Sequence, residues 1–132
     1  MKQRNFVAAL LLLFACNSVF AGKYQPAELI IDFENSRAGG DMYTVRFSSD
    51  EESFIGCGVR FSLVGDEVFE YGFCQAKNSD TKESVFCSTE RPEMVEAISS
   101  IAQLSFITFG WDKSGECTWI GNSTQSFYIP KI

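Results

Sequence analysis

The sequence predicts an α+β domain of mostly antiparallel β structure, about seven or eight strands in a sandwich or open barrel with one amphipathic helix and two disulfides. Three features carry that expectation. A strict apolar alternation runs through residues 54–64, a helical stripe recurs through residues 94–104, and four cysteines remain in an exported chain.

The chain opens on a targeting segment. Lys2 and Arg4 form a basic start, Phe6 to Ala15 is an uninterrupted apolar run of ten residues, and Val19 and Ala21 suit a signal-peptidase site before Gly22. Residues 1–21 read as a removed signal peptide and residues 22–132 as one domain. The run is far shorter than the roughly 20 residues a bilayer-spanning helix needs, so no transmembrane segment is expected. An alternative fate lies in Leu13-Phe14-Ala15-Cys16, which resembles a bacterial lipoprotein box with Cys16 as the acylated residue; Phe14 departs from the small residue usual there. The location is periplasmic or secreted, or, in that alternative, anchored in the bacterial envelope through Cys16.

Gly22 to Pro26 reads as a frayed start, Leu29 to Phe33 as a first short strand, and Arg37 to Asp41, with Gly39-Gly40, as a loop or turn. Tyr43, Val45 and Phe47 alternate with Thr44 and Arg46, which predicts a second strand, and Ser48 to Ser53 is a polar connection.

Residues 54–75 organise the domain. Ile55, Cys57, Val59, Phe61 and Leu63 alternate with Gly56, Gly58, Arg60 and Ser62, the two-residue period of a half-buried strand. Gly65-Asp66 supplies a two-residue turn and Val68 to Cys74 the return strand, a β-hairpin. That loop sets the register: Cys57 faces Cys74, Leu63 faces Val68 and Val59 faces Gly72, while Phe73 lies over Gly58, Tyr71 over Arg60 and Phe69 over Ser62. A turn at Asp80-Thr81 would bring Cys87 opposite Cys74 as well.

Thr89 to Leu104 is the predicted helix. Met94, Ala97, Ile98, Ile101 and Leu104 recur at three- and four-residue steps, Thr89 offers an N-cap, and Pro92 suits the first turn. Ser105 to Trp111 and Cys117 to Ile120 then read as strands about an Asp112 to Gly115 turn. Gly121-Asn122 reads as a further turn and Phe127 to Ile129 as a closing strand.

An even set of cysteines in a small exported domain reads as structural disulfides. Cys57, Cys74 and Cys87 fall in one row, so two connectivities fit: Cys57–Cys74 with Cys87–Cys117, or Cys74–Cys87 with Cys57–Cys117.

Composition narrows the chemistry. After residue 21 the chain keeps nine basic and all seventeen acidic residues, a net charge of −8. That disfavours nucleic acid and anionic membranes, which need basic patches, and suits a cationic partner. There is no histidine, which removes histidine-based triads, histidine acid–base work and most catalytic zinc sites. No phosphate loop, dinucleotide fingerprint or metal-ligand spacing is present, so no cofactor and no metal are expected. Carboxylates alone leave a carboxylate-dependent hydrolase open, below two binding readings. The leading one is a non-enzymatic exported binding protein, of inhibitor or immunity type, for a cationic protein of the cell envelope. Its candidate contacts are Asp50, Glu51, Glu52, Asp66 and Glu67. The other is a small-ligand or glycan binder with an aromatic cleft around Trp111 and Trp119.

Overall fold

A computed structural model describes residues 22–130 of the chain. The targeting segment expected at 1–21, with Cys16, lies outside the described residues. Among the described residues no helix is long and apolar enough to cross a membrane.

In the described residues seven strands form two antiparallel sheets around one core. In order the elements are β1 (Ile30–Asp32), β2 (Arg37–Asp41), α1 (Met42–Arg46), β3 (Phe54–Val64), β4 (Glu67–Lys77), β5 (Ser84–Thr89), α2 (Pro92–Ser99), β6 (Phe106–Trp111) and β7 (Cys117–Ser123), followed by a 3₁₀ turn at Ser126–Tyr128. One sheet has the order β1-β2-β6-β7 and the other β3-β4-β5. Two separate sheets, and not a closed barrel, are the architecture. Phe109, Ile107, Ile98, Ile55, Ala76 and the cysteines at 74, 87 and 117 fill the space they share.

The hairpin register is the one its turn dictates. Cys57 pairs with Cys74, Val59 with Gly72 and Leu63 with Val68, and β4 pairs with β5 through Cys74 and Cys87. The row of three cysteines therefore exists, and the bonds are Cys57–Cys74 and Cys87–Cys117. The first bridges neighbouring strands of one sheet. The second ties β5 to β7 and so joins the two sheets, beside a short parallel bridge between Ser88 and Glu116.

Several elements differ from their sequence reading. Residues 43–47 are not a strand: Met42–Arg46 is a turn of helix, started by Asp41, whose carboxylate accepts the Thr44 amide at 2.6 Å. The alternation Tyr43-Val45-Phe47 also contains an i, i+4 pair, and on the helix those two rings meet at 4.5 Å. Arg37–Asp41 is a strand and not a loop, because Gly39 and Gly40 serve close approach. A Cβ on Gly40 would lie 3.1 Å from Leu29 Cα and 3.3 Å from the Glu28 carbonyl oxygen.

The predicted 89–104 helix shrinks to Pro92–Ser99. Thr89 ends β5 instead of capping α2, its hydroxyl accepting the Arg91 amide. The Ser99 and Ser100 hydroxyls fold back onto the Val95 and Ala97 carbonyls as the helix stops. Leu104 takes a left-handed φ of 58° and is exposed. Gly121-Asn122 stays inside β7, paired with Thr108 and Ile107, and in place of a closing strand at 127–129 the chain forms the 3₁₀ turn Ser126–Tyr128, capped by Ile129, with Tyr128 stacked on Phe106. The N-terminal start is tied down and not frayed: the Gln25 amide donates to the Phe127 carbonyl at 2.7 Å, and Ala27 exchanges hydrogen bonds with Asp41.

Candidate functional site

The residues singled out from the sequence do not form one site. Asp50 to Glu52 lie at the base of the β3–β4 hairpin, just before β3 begins, whereas Asp66 and Glu67 sit exposed at its tip. The register also separates the tryptophans. Trp111 pairs with Cys117 and packs against Phe33 and Phe109, on the core side of its sheet. Trp119 pairs with Gly110, one residue out of phase, and lies on the outer face under the Arg37 guanidinium at 4.9 Å. The fold therefore forms no cleft between the two indoles.

Each acidic residue at the hairpin base has its own task. Asp50 Oδ1 accepts the amides of Ser53 and Glu52, and the Ser48 hydroxyl donates to Oδ2. The Ser53 amide, then that of Glu52, hold the Asp50 carboxyl well below the usual carboxylate range against the opposing effect of its partial burial. Glu52 is also lowered, by its 2.7 Å ion pair with Lys77, which donates from Nζ. Glu51 is exposed. Asp50 is thus held charged by hydrogen bonds, with no cationic partner among the described residues.

Around Asp50 the fold assembles what the sequence left scattered. A cavity of about 400 Å³ opens between the N-terminal segment, α1 and the hairpin base. Its walls carry three carboxylates (Glu28, Asp50 and Asp80) and three rings (Tyr24, Tyr43 and Phe47), with no Lys or Arg among the lining residues. Thr44 lines it too, and its Oγ1 is the buried side-chain oxygen left without a hydrogen-bond partner among the described residues. The rings come from two places: Tyr24 from the strap pinned by Gln25 and Ala27, and Tyr43 with Phe47 from α1 and its C-cap. Asp80 comes from the β4–β5 loop, held near β3 by the Ser79 amide bonding the Ser53 hydroxyl.

Such a cavity suits an organic cation. Carboxylates supply Coulombic attraction, and ring faces attract a guanidinium or ammonium group. A second, broader hollow of about 860 Å³ lies between Tyr71, Phe86 and the start of α2. Its Arg91 and Glu116 already pair with each other at 2.6 Å, which leaves Glu90 as the one unpaired carboxylate among its described lining residues. Among the described residues no group of three or more His, Cys, Asp or Glu side chains is placed to hold a metal ion.

Sequence reasoning found Asp50 and missed Tyr24, Glu28, Tyr43, Phe47 and Asp80. The i, i+4 spacing of Tyr43 and Phe47 was the one legible signal for the aromatic wall. No family model matches the chain, and no curated protein or solved structure matches it.

Proposed function

We propose that this is an exported binding protein, acting by recognition and not by catalysis, whose partner is a cationic protein of the cell envelope. The supporting observation is the cavity beside Asp50, with three carboxylates, three aromatic rings and no basic side chain among its described lining residues. A Lys or Arg side chain of the partner enters it, its charge against Glu28, Asp50 and Asp80 and its stem against Tyr43 and Phe47. Two disulfides are compatible with an oxidising compartment, where such a partner would be met. Neutralising the partner in the manner of an inhibitor or immunity protein is the physiological role this reading implies.

The test is capture from envelope extract at low salt, followed by titration of the isolated protein with arginine- and lysine-rich peptides. Basic proteins should be enriched and should elute with salt. Glu28→Gln/Asp80→Asn should weaken peptide binding by about tenfold or more, as expected for losing two close charges. Both residues are exposed, so the variant should fold normally. An empty capture together with no peptide binding would overturn the proposal.

A second reading has one observation in its favour. Arg37, Gly110 and Trp119 form a row across β2, β6 and β7, and the indole lies against Gly121 with 42 % of Trp119 exposed. The exposed part of that indole, with the Arg37 guanidinium 4.9 Å over its ring, suits a sugar. Unchanged tryptophan fluorescence across a glycan panel would remove it.

A further inference from the structure

Among the described residues the outer half of the β3–β4 hairpin is an arm with no neighbouring element. β5 pairs with β4 only as far as Gly72, and beyond it every residue from Arg60 to Tyr71 is exposed. The arm is nonetheless apolar: Phe61 is 64 % exposed, Leu63 71 %, Val68 67 % and Phe69 52 %. Exposed edges of this kind are normally blunted by charge, proline or a bulge. β3 is an edge strand whose outer residues Arg60–Val64 are all exposed, with one charged side chain, Arg60, and no proline.

The edge has a defined hydrogen-bonding parity. Cys57 and Cys74 lie 4.0 Å apart at Cα, the spacing of a pair that exchanges no backbone bonds. Pairs therefore alternate, so Arg60, Ser62 and Val64 bond to β4, whereas Val59, Phe61 and Leu63 aim their N–H and C=O groups outward. An independent contact agrees: the Val59 carbonyl accepts Arg60 Nη1 at 3.0 Å.

We propose that this arm is a pairing surface for a second copy of the same chain, joined edge to edge through antiparallel β3 strands with the two-fold axis at Ser62. In that register Phe61 and Leu63 of one copy meet Leu63 and Phe61 of the other as hydrogen-bonded pairs. Both are outward-directed residues, so donors meet acceptors, and the apolar rows continue across the junction. Charge favours the same arrangement. Arg60 stands opposite Val64 of the second copy, one step along the same face from that copy's Asp66. Among the described residues Arg60, Asp66 and Glu67 have no ion-pair partner within the chain. Antiparallel alignment brings each acidic tip to the other copy's Arg60, whereas a parallel one would set tip against tip. The result is a continuous sheet β5-β4-β3-β3-β4-β5 across two copies. The overlap is about five residues per copy, at or below the ~1,200 Å² low end of stable interfaces, so the dimer is weak, with a dissociation constant on the order of micromolar or higher.

Sedimentation velocity of the oxidised mature protein from about 1 µM to about 500 µM covers that regime. The weight-average mass should rise from monomer toward dimer. Arg60→Glu should raise the dissociation constant by about tenfold, and Arg60→Glu/Asp66→Arg should return it close to the wild-type value. Hydrogen exchange supplies the positional readout: the Phe61 and Leu63 amides should gain protection with concentration, while the Ser62 amide, already bonded to β4, should not change. A mass that stays monomeric throughout would overturn the proposal. So would a dimer indifferent to both variants, with Phe61 and Leu63 amides that stay unprotected. Neither result bears on the cation cavity, which lies at the other end of the hairpin.

Discussion

Replacing Cys87 and Cys117 together by alanine should be the more damaging of the two bridge deletions available in this fold. The bridge closes a loop of 30 residues, and loop-closure entropy alone gives about 3.6 kcal/mol at that length. Both sulfurs are buried, Cys87 at 0 % and Cys117 at 2 % exposure, so the void they leave adds roughly 0.5–1 kcal/mol. The total, about 4 kcal/mol, is a large part of the 5–15 kcal/mol by which a domain is stable. It corresponds to about 15 °C in Tm at this size. Cys57–Cys74 closes 17 residues, about 3.1 kcal/mol on the same basis. It also staples strands that an unbroken ladder from Phe54–Lys77 to Val64–Glu67 already holds in register. Cys87–Cys117, by contrast, spans two sheets joined otherwise at that point by one isolated bridge. Urea and thermal unfolding of the two double-alanine variants, followed by far-ultraviolet circular dichroism and tryptophan fluorescence, should rank them in that order. A loss below about 1 kcal/mol for Cys87→Ala/Cys117→Ala, or a reversed ranking, would refute the view that the inter-sheet bridge is the principal staple.

Two further outcomes follow from groups with defined partners. Asp41 is fully buried and accepts the Ala27 and Thr44 amides, each at 2.6 Å, so it both caps α1 and ties down the N-terminal strap. Asp41→Ala should cost about 3 kcal/mol in urea unfolding and Asp41→Asn, which keeps one oxygen acceptor, about half of that. Asp50, Asp32 and Asp112 are all held below the ordinary carboxylate range, Asp50 chiefly by the Ser53 amide, Asp32 by the Asn35 side chain and Asp112 by the Ser114 hydroxyl. Depressed folded values mean that their stabilisation is complete above the unfolded pKa near 4 and is lost as pH falls through the folded ones. Stability should therefore be flat above about pH 5 and decline below about pH 4, and Asp50→Asn should flatten the acid limb measured by chemical denaturation from about pH 2 to about pH 7.

What was legible in the sequence is what local chemistry fixes. The hairpin turn Gly65-Asp66 determines its register, and with it the cysteine row, because a two-residue loop admits one alignment of the strands. Which cysteine in that row bonds to Cys74 was not legible, since the choice depends on where β7 lies relative to β5. Tyr43 to Phe47 was misread because five residues satisfy a period of two and a period of 3.6 equally well. The decision fell to Asp41, which caps the Thr44 amide three residues on and whose second bond, from the Ala27 amide, exists only in the folded chain. Gly39-Gly40 looked like a turn for a related reason: glycine required by close packing and glycine required by chain reversal are the same letter. The cavity was largely invisible because Tyr24, Asp50 and Asp80 are far apart along the chain and are joined by tertiary hydrogen bonds alone.

The β3–β4 hairpin connects the two proposed surfaces. Its base carries the acidic cavity through Asp50, Ser53 and Asn78, its middle is stapled by Cys57–Cys74 and packed under Ile98, and its tip is the bare arm. Eleven residues per strand make it about 36 Å long. Two copies joined at Ser62 would carry their cavities at opposite ends of one sheet, about 50 Å apart, from eight residues of strand on either side of the axis. Each cavity would then take one basic side chain, and a partner offering cations at that separation would be held at both ends. Effective concentration makes the second contact intramolecular, worth a factor of about 10² to 10⁴ in apparent affinity. Arg60→Glu should accordingly leave the affinity for a short cationic peptide unchanged while lowering that for an extended cationic surface. The cost of assembling a weak dimer subtracts from that gain, so tethering is expected only at concentrations near or above the dimer's dissociation constant.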